Sequence, residues 1–401
     1  MTPGGGGAGE ERPALRVALV HDWVAGWGGS ESVLRALADL FPRAPIYLGM
    51  WRPDRAGREA FGRRDVRTTW LQRLLPVVGG DHRKLLPLMP SAFRSLDLSE
   101  YDLVISSSHA FSKAVRVRPG ARHVCYCHTP PRYLWDLYKT YNPGWGGALG
   151  APLARALRRR DVRATAGVDQ FIANSKTVAE RIRGHYGRDS VVVYPPVRVG
   201  LFEAAAARAR SVGGGIPEAW FLAGGRLVRY KRTEVLIDAA NLGGFRLKVF
   251  GDGPERGTLE RRAGPNVEFL GRVDDVELAG LMARCAAFLF AAEEDFGILP
   301  VEVQAAGRPV VAWGTGGATE TVIHGETGLL LDEGTPEAFA AGAIEAAAHH
   351  WDPERLRANA RRFNEGRFQE EALAVIRRGD AASRGGSAAS SVPGRALRSH
   401  P

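Results

Sequence analysis

Glu294-Asp295-Phe296-Gly297-Ile298-Leu299-Pro300-Val301-Glu302 is the stretch whose reading decides the fold. The apolar run at residues 286–292 before it reads as a buried strand. A short helix pattern follows, and then a second apolar run, Pro309-Val310-Val311-Ala312-Trp313. Strand, loop, helix, strand is a βαβ unit, and in open α/β sheets ligands sit outside the carboxyl ends of the strands. Glu294 in the loop and Glu302 in the first turn of the helix would then both face that crevice.

The same rhythm extends upstream. Strand-like runs at residues 220–223, 246–250 and 267–270 each end in a glycine-bearing loop: Gly224-Gly225-Arg226 through Lys231, Gly251-Asp252-Gly253-Pro254, and Gly271-Arg272-Val273-Asp274. Downstream, Gly316-Gly317-Ala318-Thr319-Glu320, a strand at 328–331 and helices at 336–349, 353–363 and 368–377 complete a half, the last helix free to pack on either half. The amino half repeats the pattern, with strands at 15–20, 46–48, 103–105, 124–127, 171–175 and 191–194. Its first loop, from His21 to Glu31, carries Gly28 and Gly29, where backbone N–H groups could approach a phosphate; a tight strand–helix turn explains the same glycines. The G-x-G-x-x-G dinucleotide fingerprint is absent. His109 and His128 each lie just past a strand end, on the edge where sites are built.

These alternations predict two doubly wound, Rossmann-like parallel sheets facing each other across a cleft. The expected divisions are a disordered tail at 1–14, an amino-terminal domain at 15–195, a carboxyl-terminal domain at 196–378 and a disordered tail at 379–401. Residues 51–98 read as irregular with helical pieces, and the alanine- and glycine-rich stretch at 204–215 as flexible.

At 401 residues two domains are the natural division, and 45% apolar with 24% charged residues describes an ordinary globular chain. No apolar run approaches the ~20 residues of a membrane span, and the glycine-rich start lacks the apolar core of a signal peptide. The expected location is cytoplasmic, with peripheral contact at the inner face of the plasma membrane left open. The net charge of +10 comes largely from arginines scattered over helices rather than from one basic block, which argues against a nucleic-acid module. A helix at 149–167, with Leu149, Leu153, Ala156 and Leu157 on one side and Arg155, Arg158, Arg159, Arg160 and Arg163 on the rest, reads as a solvated face or an anionic-lipid contact. Cys125, Cys127 and Cys285 give neither a disulfide framework nor a zinc pattern; buried, reduced thiols are expected.

The second half offers the cleft two cations, Arg226 and Lys231, and the free N–H groups at Ile298 and Leu299, a site suited to a diphosphate. Carboxylates beside a diphosphate repel it, so they are placed to accept hydrogen bonds from hydroxyls instead. Glu294 could hold a sugar ring and Glu302 a ribose.

Glu294-x7-Glu302, in the setting Glu-Asp-Phe-Gly-Ile-Leu-Pro-Val-Glu, resembles the signature of the retaining glycosyltransferases of family 4. Gly225-Arg226-Leu227-Val228 with Lys231, Gly251-Asp252-Gly253-Pro254 and Gly316-Gly317-Ala318-Thr319-Glu320 match in the same order. His21-Asp22-Trp23 with Gly28-Gly29-Ser30-Glu31, residues 106–109 and His128-Thr129-Pro130-Pro131-Arg132-Tyr133-Leu134-Trp135 resemble the bacterial polysaccharide and lipopolysaccharide mannosyltransferase subgroup. The family's usual proline in the Gly-Gly-x-Pro-Glu turn is Thr319 here.

The resemblance implies a GT-B fold and retaining transfer of a hexosyl group, mannose from GDP-mannose, to a glycan or lipid-linked acceptor. It implies no cofactor and no metal, because Arg226 and Lys231 neutralise the leaving diphosphate. By the same resemblance Glu294 and the backbone of Phe296, Gly297 and Ile298 position the donor sugar, and Glu302 holds the ribose. Asp295, Leu299 and Val273 also fall on the donor side. Gly28 and Gly29 approach from the other domain on closure, His128 contacts the sugar, and His109 lies on the acceptor side. An epimerase on the same fold, or a basic non-catalytic scaffold at the membrane, are the alternatives.

Overall fold

The computed structural model describes residues 15–138, 145–213 and 218–385. Among these residues the strands form two sheets, and every pairing is parallel. The first comprises β1 (Val17–Val24), β2 (Ile46–Trp51), β3 (Val66–Thr68), β4 (Leu103–Ser108), β5 (Arg122–Cys127), β6 (Gln170–Ala173) and β7 (Ser190–Val192), in the order β3-β2-β1-β4-β5-β6-β7. The second comprises β8 (Phe221–Gly224), β9 (Leu247–Phe250), β10 (Val267–Gly271), β11 (Phe288–Phe290), β12 (Val310–Trp313) and β13 (Gly328–Leu331), in the order β10-β9-β8-β11-β12-β13. Both orders reverse beside their first strand, giving switch points between β1 and β4 and between β8 and β11.

Parallel strands are covered on both faces, so their residues are apolar almost throughout. In the first sheet Leu19, Ile46, Ile105 and Val124 pack with Val33 and Leu37 of the helix Gly29–Leu40, while Val20, Met50 and Val104 pack with Phe93 and Phe111. In the second, Leu222, Phe288 and Val310 meet Phe202 and Val301, and Leu247, Leu289 and Val311 meet Ile237 and Phe339. Each such buried side chain stabilises the fold by about 2 kcal/mol.

Several expectations are corrected. β1 does not stop at residue 20: its pairing runs on through His21 opposite Ser107 and Trp23 opposite Met50. The 51–98 segment contains the edge strand β3. The stretch read as flexible at 204–215 is, as far as residue 213, the helix Val199–Gly213, because alanine favours helix and Phe202 and Ala206 bury one face against the second core. In the helix Trp145–Ala164 the buried stripe is Ala154, Leu157, Asp161 and Ala164, while Leu153 is exposed. Arg158 turns inward, donating to Leu134 O at 2.5 Å and lying over Trp135, so it is not part of a solvated basic face. The Leu149 side chain lies outside the described residues.

The final helix, Glu365–Gly385, continues beyond residue 379, where a tail was expected, and its Phe368, Ala372, Val375 and Ile376 cross back into the first core beside Tyr126. The expected tail at 1–14, and residues 386–401 of the one expected at 379–401, lie outside the described residues. All three cysteines are free and buried.

Candidate active site

At the end of β1, polar residues are buried because tertiary hydrogen bonds satisfy them. Asp22 accepts four backbone N–H groups, those of His109, Ala110, Phe111 and Ser112, at 2.7–2.8 Å. Its carboxyl stays below the usual range although burial opposes this, because His109, His21 and the His109 amide favour the anion. Ser107 Oγ lies 3.0 Å from His21 Nδ1 and 2.8 Å from His128 Nε2. The three rings cluster, with centroids 5.6 Å apart for His21–His109 and 6.0 Å for His109–His128. Burial, the largest cause for each, lowers all three pKa values: His21 to about 4, His128 well below its ordinary value, His109 in the same direction. The three imidazoles are therefore neutral at pH 7, hydrogen-bonding groups rather than a cationic patch.

The opposing wall is built at the second switch point. Lys231 closes a short turn after β8 and forms an ion pair with Glu294, from the loop after β11. Burial, with Arg132 nearby, pulls the Lys231 ammonium down to about 8, so it remains charged at neutral pH. Gly297, at φ 84°, caps the helix Ile298–Ala305 and presents its first amides beside this pair. The Glu294 loop is held from behind: Gly317 N donates to Glu294 O at 2.8 Å, and a Cβ on Gly317 would stand 2.3 Å from Phe296 Cα. That close approach requires glycine. Thr319, in place of the family's usual proline, ties the same turn by donating its hydroxyl to Gly316 O at 2.8 Å.

The two walls touch. Arg132, four residues after His128, donates to Glu293 O at 3.1 Å and lies 3.9 Å from Asp295. Arg181 pairs with Asp295 and also with Asp136 at 3.1 Å. Glu320 accepts from Lys176 N at 2.8 Å and Thr177 N at 3.1 Å, capping the helix Lys176–Tyr186 of the other half. A Cβ on Gly29 would lie 2.6 Å from Ile298 Cδ1, so the Gly28-Gly29 turn already abuts the start of that helix.

Lys231, Glu294, Gly297, Ile298, Gly28 and Gly29 thus converge, with His128 and His109 on the opposite wall. Arg226, after β8, is exposed. Val273 follows the edge strand β10, at the same sheet end but at its far flank. Leu299 packs towards Gly225, its Cδ1 3.4 Å from where a Gly225 Cβ would be. Phe296 buries its ring against Tyr194 and Phe363, leaving only its backbone to the loop. Asp295 is engaged by Arg181. Glu302 falls in the second turn of its helix, not the first; burial raises its carboxyl to about 8 against the opposing pull of Arg198. Sequence reading missed the roles of Asp22, Arg181 and Glu320; Arg132 was visible only as part of the polar run after His128. Among the described residues no group of three or more His, Cys, Asp or Glu is arranged to hold a metal.

Two family models match this chain, "Glycosyltransferase Family 4" over residues 27–200 and "Glycosyl transferases group 1" over residues 218–349. The chain belongs to glycosyltransferase family 4. Among similar family 4 proteins, the D-inositol 3-phosphate glycosyltransferase of Segniliparus rotundus is 32% identical over 63% of this chain and 60% of its own length. The D-rhamnosyltransferase WbpZ of Pseudomonas aeruginosa is 28% identical over 48% of this chain and 54% of its own. The matches therefore span little more than half the length of these curated relatives. Anabaena Alr3699/HepE, solved in complex with UDP and glucose, superposes with a TM-score of 0.64 at 21% identity, covering 90% of this chain and 99% of that one. Sucrose-phosphate synthase from Thermosynechococcus elongatus gives 0.67 at 18% identity, covering 92% and 100%. These likenesses show the GT-B fold.

Proposed function

We propose that this family 4 chain is a retaining hexosyltransferase that moves a sugar from a nucleotide donor to a glycan or lipid-linked acceptor, acting on the cytoplasmic side and without a metal. The observation that carries the reading is the Lys231–Glu294 pair at the β8/β11 switch point, beside the first amides of the helix Ile298–Ala305. On donor binding the Lys231 ammonium turns from Glu294 to the diphosphate, which Arg226 and the Ile298 and Leu299 amides also meet. Glu294 is then free to accept hydrogen bonds from the sugar hydroxyls, and neutral His128 offers the sugar another hydrogen bond from the facing wall. The acceptor hydroxyl forms a new C–O bond at the anomeric carbon as the bond to the diphosphate oxygen breaks. The electron pair leaves with the nucleoside diphosphate, and the acceptor proton passes to the leaving oxygen.

Mannose from GDP-mannose is the donor favoured by the amino-half motifs around His21 and His128. Melting shifts with a panel of GDP-, UDP- and ADP-sugars test this: GDP-mannose should raise Tm most, and Glu294→Ala should lower transfer at least a hundredfold. No shift with any nucleotide, together with unchanged transfer by the Glu294→Ala variant, would remove the proposal.

A further inference from the structure

A cavity of about 590 Å³ opens between the halves, lined on one side by residues 25, 52–54 and 79–83 and on the other by Arg226. Its two carboxylates are already engaged by the protein. Asp54 accepts from Trp27 N at 2.9 Å and Gly57 N at 2.8 Å, and Asp81 holds Arg83 by bonds of 2.8 and 3.1 Å. Two guanidinium groups are not matched in this way. Arg52 donates only to a carbonyl, Gly80 O at 2.9 Å, and has no ion-pair partner among the described residues. The Arg226 guanidinium, on an exposed residue across the cavity, shows no hydrogen bond or ion pair among them. Gly80 sits at φ 75°, and a Cβ there would lie 2.2 Å from Arg52 Nη1, so this glycine lets the guanidinium rest against the loop.

An aromatic path joins the cavity to the histidine wall. His82, which lines the cavity, lies on Trp23 with centroids 4.6 Å apart and 34° between planes. Trp23 meets His109 edge-on at 4.4 Å, and His109 contacts His128 at 6.0 Å. A sugar ring suits such an amphipathic aromatic surface, and an arginine fork suits a phosphate. A phosphate monoester has three oxygens pointing in different directions, enough to meet Arg52 and Arg226 together.

We propose that this cavity is the acceptor subsite and that it takes a phosphorylated sugar, the ring against His82 and the phosphate between Arg52 and Arg226. The inference rests on the glycosyltransferase reading above, because Arg226 then lies between the donor diphosphate and the acceptor phosphate. The test compares hexose phosphates and a short-chain lipid-linked sugar phosphate, each against its dephosphorylated counterpart, by direct titration and by transfer. The wild type should show at least a tenfold lower Kd or KM for phosphorylated forms of whichever source it takes. Arg52→Gln should abolish that preference, Arg52→Lys should restore part of it, and His82→Ala should raise KM for phosphorylated and neutral sugars alike. Nucleoside diphosphate affinity should stay within twofold in all three, which also reports that they fold. Equal affinity for phosphorylated and neutral sugars in the wild type, or a preference that survives Arg52→Gln, overturns the proposal. Failure of the wild type to bind any nucleoside diphosphate overturns the glycosyltransferase reading instead, and direct titration of the sugar phosphates still reads the cavity.

Discussion

A carboxyl group packed inside a helix, as Glu302 is, keeps its proton until about pH 8. Between its ordinary value of 4.5 and that point the folded chain binds a proton that the unfolded chain does not. The associated stability is present below the lower value and is lost as pH rises through the upper one. Lys231 has the opposite sign: pulled from 10.5 to about 8, it contributes stability that rises with pH across that window. Melts in half-unit steps should therefore show the wild-type Tm losing ground to that of Glu302→Gln between about pH 5 and 8, on top of the rise that the buried neutral histidines give both proteins below their ordinary value of 6.5. Parallel profiles would mean that Glu302 is ionised in the folded chain. Asp22 carries a different burden, since its two oxygens serve four amides. Asp22→Asn puts an NH2 donor against two of them. Denaturant unfolding should show a loss of at least about 2 kcal/mol, with two buried donors left unpaired.

Elements were legible where a single principle governs them. Apolar runs located twelve of the thirteen strands among the described residues, and the loop after residue 293 located the helix start to within one residue of Ile298. The misses share a cause: tertiary contacts override local character. His21 and Asp22 look like loop residues until Ser107 and the 109–112 amides are placed against them, and residues 199–213 look flexible until Phe202 finds a core. β3 is a three-residue edge strand with little burial to mark it. Glu320 belongs to the same class. Its motif was quoted, but its work, capping the helix Lys176–Tyr186 from the other half, needs both halves in place. Glu320→Ala should weaken closure by about 1 kcal/mol, the usual worth of a cap. Small-angle scattering should then show a larger radius of gyration without nucleotide, recovering at saturating donor. An unchanged radius would mean that other contacts hold the halves.

At the scale of the molecule, the site was legible as two lists of residues and not as one constellation. The joining pairs, Arg181–Asp295, Arg132–Glu293 and Lys176–Glu320, link positions 114, 161 and 144 apart, with no local pattern to announce them. They explain how the Gly28-Gly29 turn, the three neutral histidines and the Lys231–Glu294 pair come to share one cleft. The claim at the centre is that this cleft binds a nucleotide sugar through Lys231. Isothermal titration of GDP and UDP into the wild type and Lys231→Met tests it most directly. One nucleoside diphosphate should bind per chain, with affinity lowered at least tenfold in the variant, a loss of about 1.4 kcal/mol or more. Equal affinity in the two proteins, or binding of neither nucleotide, would contradict it.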